Sequence, residues 1–300
     1  MIKAPIVFVL GAGASSCYGF PLGQKLCEIV IDGLQRNKPM REELMNTTRF
    51  PDHEIDAFRR ELLYSAQNSI DAFLENRPEY LAIGKSAMAI ILMRYEHHDI
   101  LWQFSDNNWM RYLFDKMRAT TLQAFSENQV AFVTFNFDRS LEYFLFNSLR
   151  NTFGAIAKDC AQALTSIPII HLHGRLGWLP WQGDRSRAYE PTATAENVQM
   201  CVDNIKLVHE ELKDGRDKDF EEAKRLMHLA DRIYFLGFGF GQLNVARLGL
   251  AGLTQNKAIA TATGFTQHEV AEISKRCGGK ISIYPGHNIE SLFRNVVAWS

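Results

Sequence analysis

The chain has 300 residues, 46% of them hydrophobic and 22% charged, with a formal net charge of −1. That is enough apolar material for one large domain, or for a core domain with a substantial insertion, and the near-neutral balance gives no case for direct nucleic-acid binding. The longest markedly apolar later run, Ala87–Met93, is far short of the roughly 18 residues that span a bilayer, so no membrane association is expected and the run reads as a buried helix.

Reading along the chain, Ile6–Leu10 (IVFVL) is a continuous apolar run that ends in Gly11-Ala12-Gly13-Ala14-Ser15. Near-continuous apolar strands are those covered on both faces of a parallel sheet. Glycines just beyond such a strand let the backbone approach a pyrophosphate, with the next helix N-terminus behind it. The third glycine of G-x-G-x-x-G is missing, because position 16 is Ser, and a glycine turn without a ligand is the plainer alternative. Cys17, Cys27, Cys160, Cys201 and Cys277 are odd in number and form no C-x-x-C pair. A disulfide framework and a zinc ribbon are therefore both disfavoured, a reducing cytoplasm fits, and no metal is expected. No secretory leader is expected, since the apolar stretch Ile6–Leu10 is too short.

A long helical interval follows. Ile55, Phe58, Leu62, Ala66, Ile70 and Phe73 recur at helical offsets in a segment that Pro78 should end, and Met110, Leu113, Phe114, Met117, Thr121 and Phe125 do the same. Asp32, at the distance where a dehydrogenase carries its ribose-binding acid, falls within the helical pattern Leu22–Gln35 and reads as solvated surface. Further apolar runs, Val130–Phe135, Ile167–Leu172, Arg232–Leu236, Ala258–Thr263 and Lys280–Tyr284, complete the strands. The expected architecture is α/β: a Rossmann-like, mostly parallel sheet with helices on both faces and a helical insertion after the first strand, over about residues 36–128 of a single domain 1–300. Gly174–Thr194 has no periodicity and reads as a long surface loop of the kind that serves as a lid.

Chemistry concentrates at strand ends. Thr134-Phe135-Asn136-Phe137-Asp138 closes the second strand, where open α/β sheets bind ligands; Asp138 suits a helix N-cap equally well, and the two roles are compatible. His171 and His173 share a strand face. His171 reads as a satisfied core histidine, and His173, at the strand end before Gly174, as a base within reach of substrate. Gly237-Phe238-Gly239-Phe240-Gly241-Gln242-Leu243-Asn244 is a second glycine turn beyond a strand. Phe238, Phe240, Trp178 and Trp181 are aromatics more often used in packing than in stacking on a base.

Taken in order, GAGAS, TFNFD, HLHG and GFGFG resemble the motifs of the sirtuin-like superfamily, and most of all its bacterial NAD hydrolases of anti-phage defence. Ser69–Leu74, with Ile83-Gly84-Lys85 after it, is similar to the helical insertion of that branch. The resemblance implies that Gly11, Ala12, Gly13 and Ser15 hold the NAD phosphates. It implies that Asn136, in the Thr134 motif, positions a water or the nicotinamide ribose, that Asp138 contacts the carboxamide and that His173 is the general base. Gly237, Gly239 and Asn244 would lie toward the adenosine ribose. Gly19-Phe20-Pro21-Leu22-Gly23 lacks the arginine that protein-deacylating sirtuins carry here, and the chain cannot build their four-cysteine zinc module. The expected activity is thus NAD glycohydrolysis for NAD depletion, with NAD as substrate and restraint by homo-oligomerisation or by a HerA-type ATPase partner. The alternatives are an NAD-dependent deacylase and a non-catalytic NAD-binding subunit.

Overall fold

The computed structural model describes residues 1–105, 107–207, 217–254 and 257–299. Six strands form one sheet: β1 (Ile6–Leu10), β2 (Val130–Thr134), β3 (Ile169–His171), β4 (Arg232–Leu236), β5 (Ala258–Thr261) and β6 (Ile281–Tyr284). Their order is β3-β2-β1-β4-β5-β6, and every pairing is parallel. This is the doubly wound Rossmann order, in which the chain winds away from β1 in both directions and leaves a crevice at the carboxyl ends of β1 and β4.

The strand sequences are apolar throughout because successive residues feed different cores. Ile6, Phe8 and Leu10 of β1, Phe132 of β2 and Tyr234 of β4 pack into one cluster. Val7, Val9, Val133, Ile233 and Phe235 pack into another, with Phe220, Val245 and Ile273 from the helices Lys218–Leu229, Gln242–Leu248 and Gln267–Arg276. Strand periodicity of two therefore distributes the same run to both sheet faces. Residues Ile83 to Met93 of the helix Leu81–Met93 are all buried, the mark of a helix at the centre of a core rather than on its surface. No helix among the described residues is long and apolar enough to cross a membrane.

The interval between β1 and β2 is helical, as expected, but finer in grain. The periodicity from Ile55 to Phe73 belongs to two helices, Asp52–Tyr64 and Ile70–Asn76. The break is physical: Ala66 takes a left-handed φ of 54°, and Ser69 starts the next helix by accepting the Ala72 N–H. The second of these helices ends at Asn76, just before Pro78 as expected, and Pro78 opens a 3-10 turn, Pro78–Tyr80. Likewise Trp109–Lys116 and Leu122–Phe125 are separate, with Thr121 capping the second.

The segment Gly174–Thr194 forms no helix or strand and much of it is exposed, as expected of a surface loop, but it is pinned to the domain from within. Leu176, Leu179 and Tyr189 are buried, as are the side chains of Arg139, Arg187 and Glu96. Arg139 grips Glu96 with two parallel bonds of 2.9 and 2.7 Å and donates to the carbonyls of Trp178, Arg187 and Ala188. Arg187 reaches the same carboxylate at 2.6 Å and the carbonyls of Leu176 and Glu190. Two guanidinium groups on one carboxylate leave an excess positive charge, and five backbone carbonyls absorb it. These bonds fasten the segment to the body of the domain through Leu176, Trp178, Arg187, Ala188 and Glu190.

Candidate active site

The glycine turns after β1 and β4 are built against each other. Gly13 N–H donates to the Gly237 carbonyl at 3.0 Å, and Gly11 N–H to the Leu236 carbonyl at 3.0 Å. A Cβ on Gly11 would lie 2.5 Å from the Gly237 oxygen, and one on Gly237, whose φ is +58°, would lie 2.2 Å from the Ala14 nitrogen. These glycines are therefore required by backbone-on-backbone contact, before any ligand is considered. Gly239 is different: a Cβ there meets nothing within 4 Å, so its bareness leaves open space toward the cavity.

A cavity of about 610 Å³ opens at this switch point, within the size range of small-molecule sites. Gly11, Ala12, Ser15, Asn136, Asp138, His173, Gly239 and Asn244 line it. The structure thus brings together eight of the residues singled out in the sequence. The other three, Gly13, Thr134 and Gly237, stand behind the wall. Gly13 and Gly237 hold the turns together, and Thr134 accepts the Asn136 N–H at 3.0 Å, which fixes the start of the loop after β2.

A directional hydrogen-bond chain runs along one wall. The Asn136 amide donates one hydrogen to the Gly11 carbonyl at 2.9 Å and the other to Ser15 Oγ at 3.0 Å. Ser15 Oγ donates in turn to Asp138 Oδ2 at 2.6 Å, and Asp138 Oδ1 accepts the Ser140 N–H at 3.1 Å, at the start of the helix Ser140–Phe153. Asp138 is thus not the N-cap that its position suggested, since Arg139 holds that place with no side-chain cap bond, but it accepts the first N–H of the helix from one residue earlier while lining the site. Because both amide hydrogens of Asn136 are committed to acceptors, its orientation is set, and Oδ1 remains as an acceptor with no partner among the described residues.

The two histidines of the third strand end have opposite fates. His171 is buried, with Nδ1 3.0 Å from the Asn136 carbonyl and Nε2 2.7 Å from Glu142 Oε1. Against the effect of its burial, His171 and Arg175 hold the Glu142 carboxyl down to about 2. His173 lies in an apolar box of Phe135, Phe137 and Phe220 rings, at 5.4, 6.5 and 6.3 Å. Burial, aided by the charge of Arg247, pushes its pKa down to about 4, although Asn244 hydrogen-bonds to it and Asp217 is near. It is thus a neutral imidazole at physiological pH.

The rest of the lining comes from the segment after the first glycine turn and from the insertion, and sequence reasoning did not assign it to the site. Phe20, Pro21, Leu26, Asn68, Ser69, Asp71 and Leu92 complete the cavity. Phe238 and Phe240 also line it, while Trp181 stacks on Phe146 at 3.6 Å and Trp178 lies under the Arg175 guanidinium at 4.1 Å, both outside it. Phe240 holds a left-handed φ of 50°, uncommon for a bulky residue, with its carbonyl tied to Arg276 at 2.7 Å. Cys17, in the turn beside the cavity, is pushed up to about 12 by burial, which makes it an inert thiol rather than a nucleophile. Among the described residues no group of three His, Cys, Asp or Glu side chains is placed to hold a metal ion. No protein-family model matches the chain, and a comparison with curated proteins returns no match.

Proposed function

We propose that the chain is an NAD glycohydrolase, which cleaves the bond between nicotinamide and ribose to give nicotinamide and ADP-ribose. The observation that carries this reading is that the cluster Asn136–Ser15–Asp138 and a neutral His173 line one switch-point cavity. The resemblance of the four motifs to sirtuin-like NAD hydrolases supplies the substrate.

The chemistry asks little of the protein in the way of nucleophiles. The glycosidic bond breaks with its electron pair passing to the ring nitrogen, so the pyridinium leaves as neutral nicotinamide and C1′ is left cationic. Water then adds to C1′ and gives up one proton. The free Oδ1 of Asn136 is an acceptor that can orient this water, with Ser15 and Asp138 fixing the amide behind it. His173, uncharged, can accept a hydrogen bond from a ribose hydroxyl or take the proton that the water loses. Asp138 acts mainly by positioning, since each of its oxygens already accepts one bond. Ala12 and Ser15, at the bend after β1, and the open space at Gly239 are where phosphates and ribose would be accommodated.

On this reading the protein depletes NAD in anti-phage defence in the cytoplasm, restrained by self-assembly or by a HerA-type ATPase. The decisive measurement is chromatography of products after incubation with NAD, alone and with such a partner. Release of nicotinamide with ADP-ribose is expected, and Asn136→Ala and His173→Ala should each lower kcat by on the order of 10²–10⁴-fold. Nicotinamide release only in the presence of an acyl-lysine peptide would replace the reading with deacylation. NAD-dependent thermal stabilisation without turnover would reduce it to a binding subunit.

A further inference from the structure

The wall supplied by the insertion contains one group that the protein leaves unsatisfied. Asp71, half-buried as a residue, sits in the first turn of the helix Ile70–Asn76 and lines the cavity, whose described lining on this side also includes Phe20, Leu26, Asn68, Ser69 and Leu92. Its Oδ1 is sealed from solvent and has no hydrogen-bond partner among the described residues. An unpaired buried acceptor costs about 1–3 kcal/mol, and a cost of that kind at a cavity wall calls for a reason. Burial, together with Glu75 on the same helix, pushes the carboxyl up to about 6, and its own backbone N–H is the one group that favours the charged form. At neutral pH the carboxyl is therefore ionised without a counter-charge among the described residues.

The rest of the cavity offers none. Among its lining residues are two carboxyl groups, Asp71 and Asp138, and neither a lysine nor an arginine; His173 is held neutral. Asp138 is engaged by Ser15 and Ser140. Asp71 is thus the charge left for a ligand to neutralise. A phosphate beside it would be repelled, and a neutral ring would not relieve it. A cation would, since the sealed Oδ1 of this carboxylate attracts an opposite charge more strongly than it could in bulk water.

We propose that Asp71 is the electrostatic subsite for the positively charged part of the ligand: the pyridinium ring of an oxidised nicotinamide dinucleotide, and the ribosyl cation left when that ring departs. The proposal rests on the NAD reading of the site. Asp71 forms no covalent bond in this role. It lowers the energy of the charge at C1′ through space until water adds.

The test compares two dinucleotides of the same shape and different ring charge. Equilibrium binding of carbocyclic NAD, which keeps the charged ring and resists cleavage, and of NADH is measured at pH 8 for the wild-type protein and for Asp71→Asn. Affinity for carbocyclic NAD should fall roughly 10- to 100-fold in the variant, with NADH binding changed by no more than about twofold, and kcat/KM for NAD cleavage should fall by at least a similar factor. Equal loss for both ligands, no loss, or tighter binding of both would overturn the proposal. The melting temperature of ligand-free Asp71→Asn should equal or exceed that of the wild type, since a stranded buried charge is removed. A fall of several degrees would make Asp71 a structural residue and would equally overturn it. If the wild-type protein binds neither dinucleotide, the NAD reading itself fails. Binding of both with an unchanged ratio in the variant defeats Asp71 alone.

Discussion

Asp138 and Arg139 are neighbours in sequence and look into two different buried polar clusters. Arg139 faces the one in which nearly every strong group is answered: the Glu96 carboxylate binds two guanidinium groups and five carbonyls of the 176–190 segment take further donors, with the Arg187 Nε–H the exception among the described residues. Asp138 faces the one that is left incomplete, with Oδ1 of Asn136 and Oδ1 of Asp71 unpartnered at a cavity wall. The first cluster fixes backbone, since a satisfied buried network has one low-energy arrangement. The second keeps its polar groups for something outside the protein. The turn after β2 needs both, because the geometry of Asp138 and Asn136 is only as good as the anchoring of Arg139.

The largest effect should come from breaking the closed cluster. Glu96→Ala strands two buried guanidinium groups, which costs on the order of 3–5 kcal/mol. We expect a large drop in the midpoint of urea unfolding, or a failure to fold at 37 °C. Glu96→Gln keeps the volume and one acceptor and should be milder. If Glu96→Ala unfolds like the wild type, the network is not what fastens the 174–194 segment.

Much of the fold was legible because parallel strands buried on both faces write themselves as uninterrupted apolar runs. β1 and β4 fall on the residues expected, and the others start or stop within two residues of them. The strand-end residues were legible for the same topological reason, since whatever follows a parallel strand at its carboxyl end faces the crevice. Arg139, Arg187 and Glu96 were not legible, because charged residues read as surface unless their partners are known, and here Glu96 lies 43 residues from Arg139. Asp71 was hidden likewise: that it meets a cavity depends on how the insertion folds back. The glycines at 11, 13 and 237 were seen but read for one purpose. A demand for no Cβ is the same whether a phosphate or another turn approaches, and the sequence does not separate the two.

An intermediate effect is expected at Ser15, which joins the open cluster to its anchor. Ser15→Ala removes the donor to Asp138 and the acceptor for Asn136, two bonds of which one is charge-assisted. Stability should fall by about 2 kcal/mol, read by urea unfolding. Turnover should fall more than stability would explain, because Asn136 loses one of the two acceptors that set its orientation. Rescue of turnover by Ser15→Thr, with the hydroxyl restored, would sharpen the point. Full activity in Ser15→Ala would show that Asn136 does not depend on this chain of bonds.

The smallest effect tests whether the open cluster is really under strain, and it has a pH signature. The Asp71 carboxyl is raised from 3.8 to about 6 in the folded protein, so between those values the folded state holds more protons than the unfolded one. Its contribution therefore penalises the fold fully above about pH 6 and disappears as pH falls below 3.8. His173 acts in the opposite sense over nearly the same window: it is lowered from 6.5 to about 4, so the unfolded state binds the proton first and stability is lost on acidification. In the wild-type protein the two slopes oppose each other between about pH 4 and 6. Asp71→Asn removes one of them. The variant should be more stable than the wild type by on the order of 1–2 kcal/mol at pH 8, with the advantage shrinking to nothing by about pH 4. The groups common to both proteins cancel in that difference, so urea midpoints at four pH values suffice. A difference that is constant with pH, or of opposite sign, would mean that Asp71 is paired in the folded protein and that the cavity wall is no less satisfied than the cluster around Glu96.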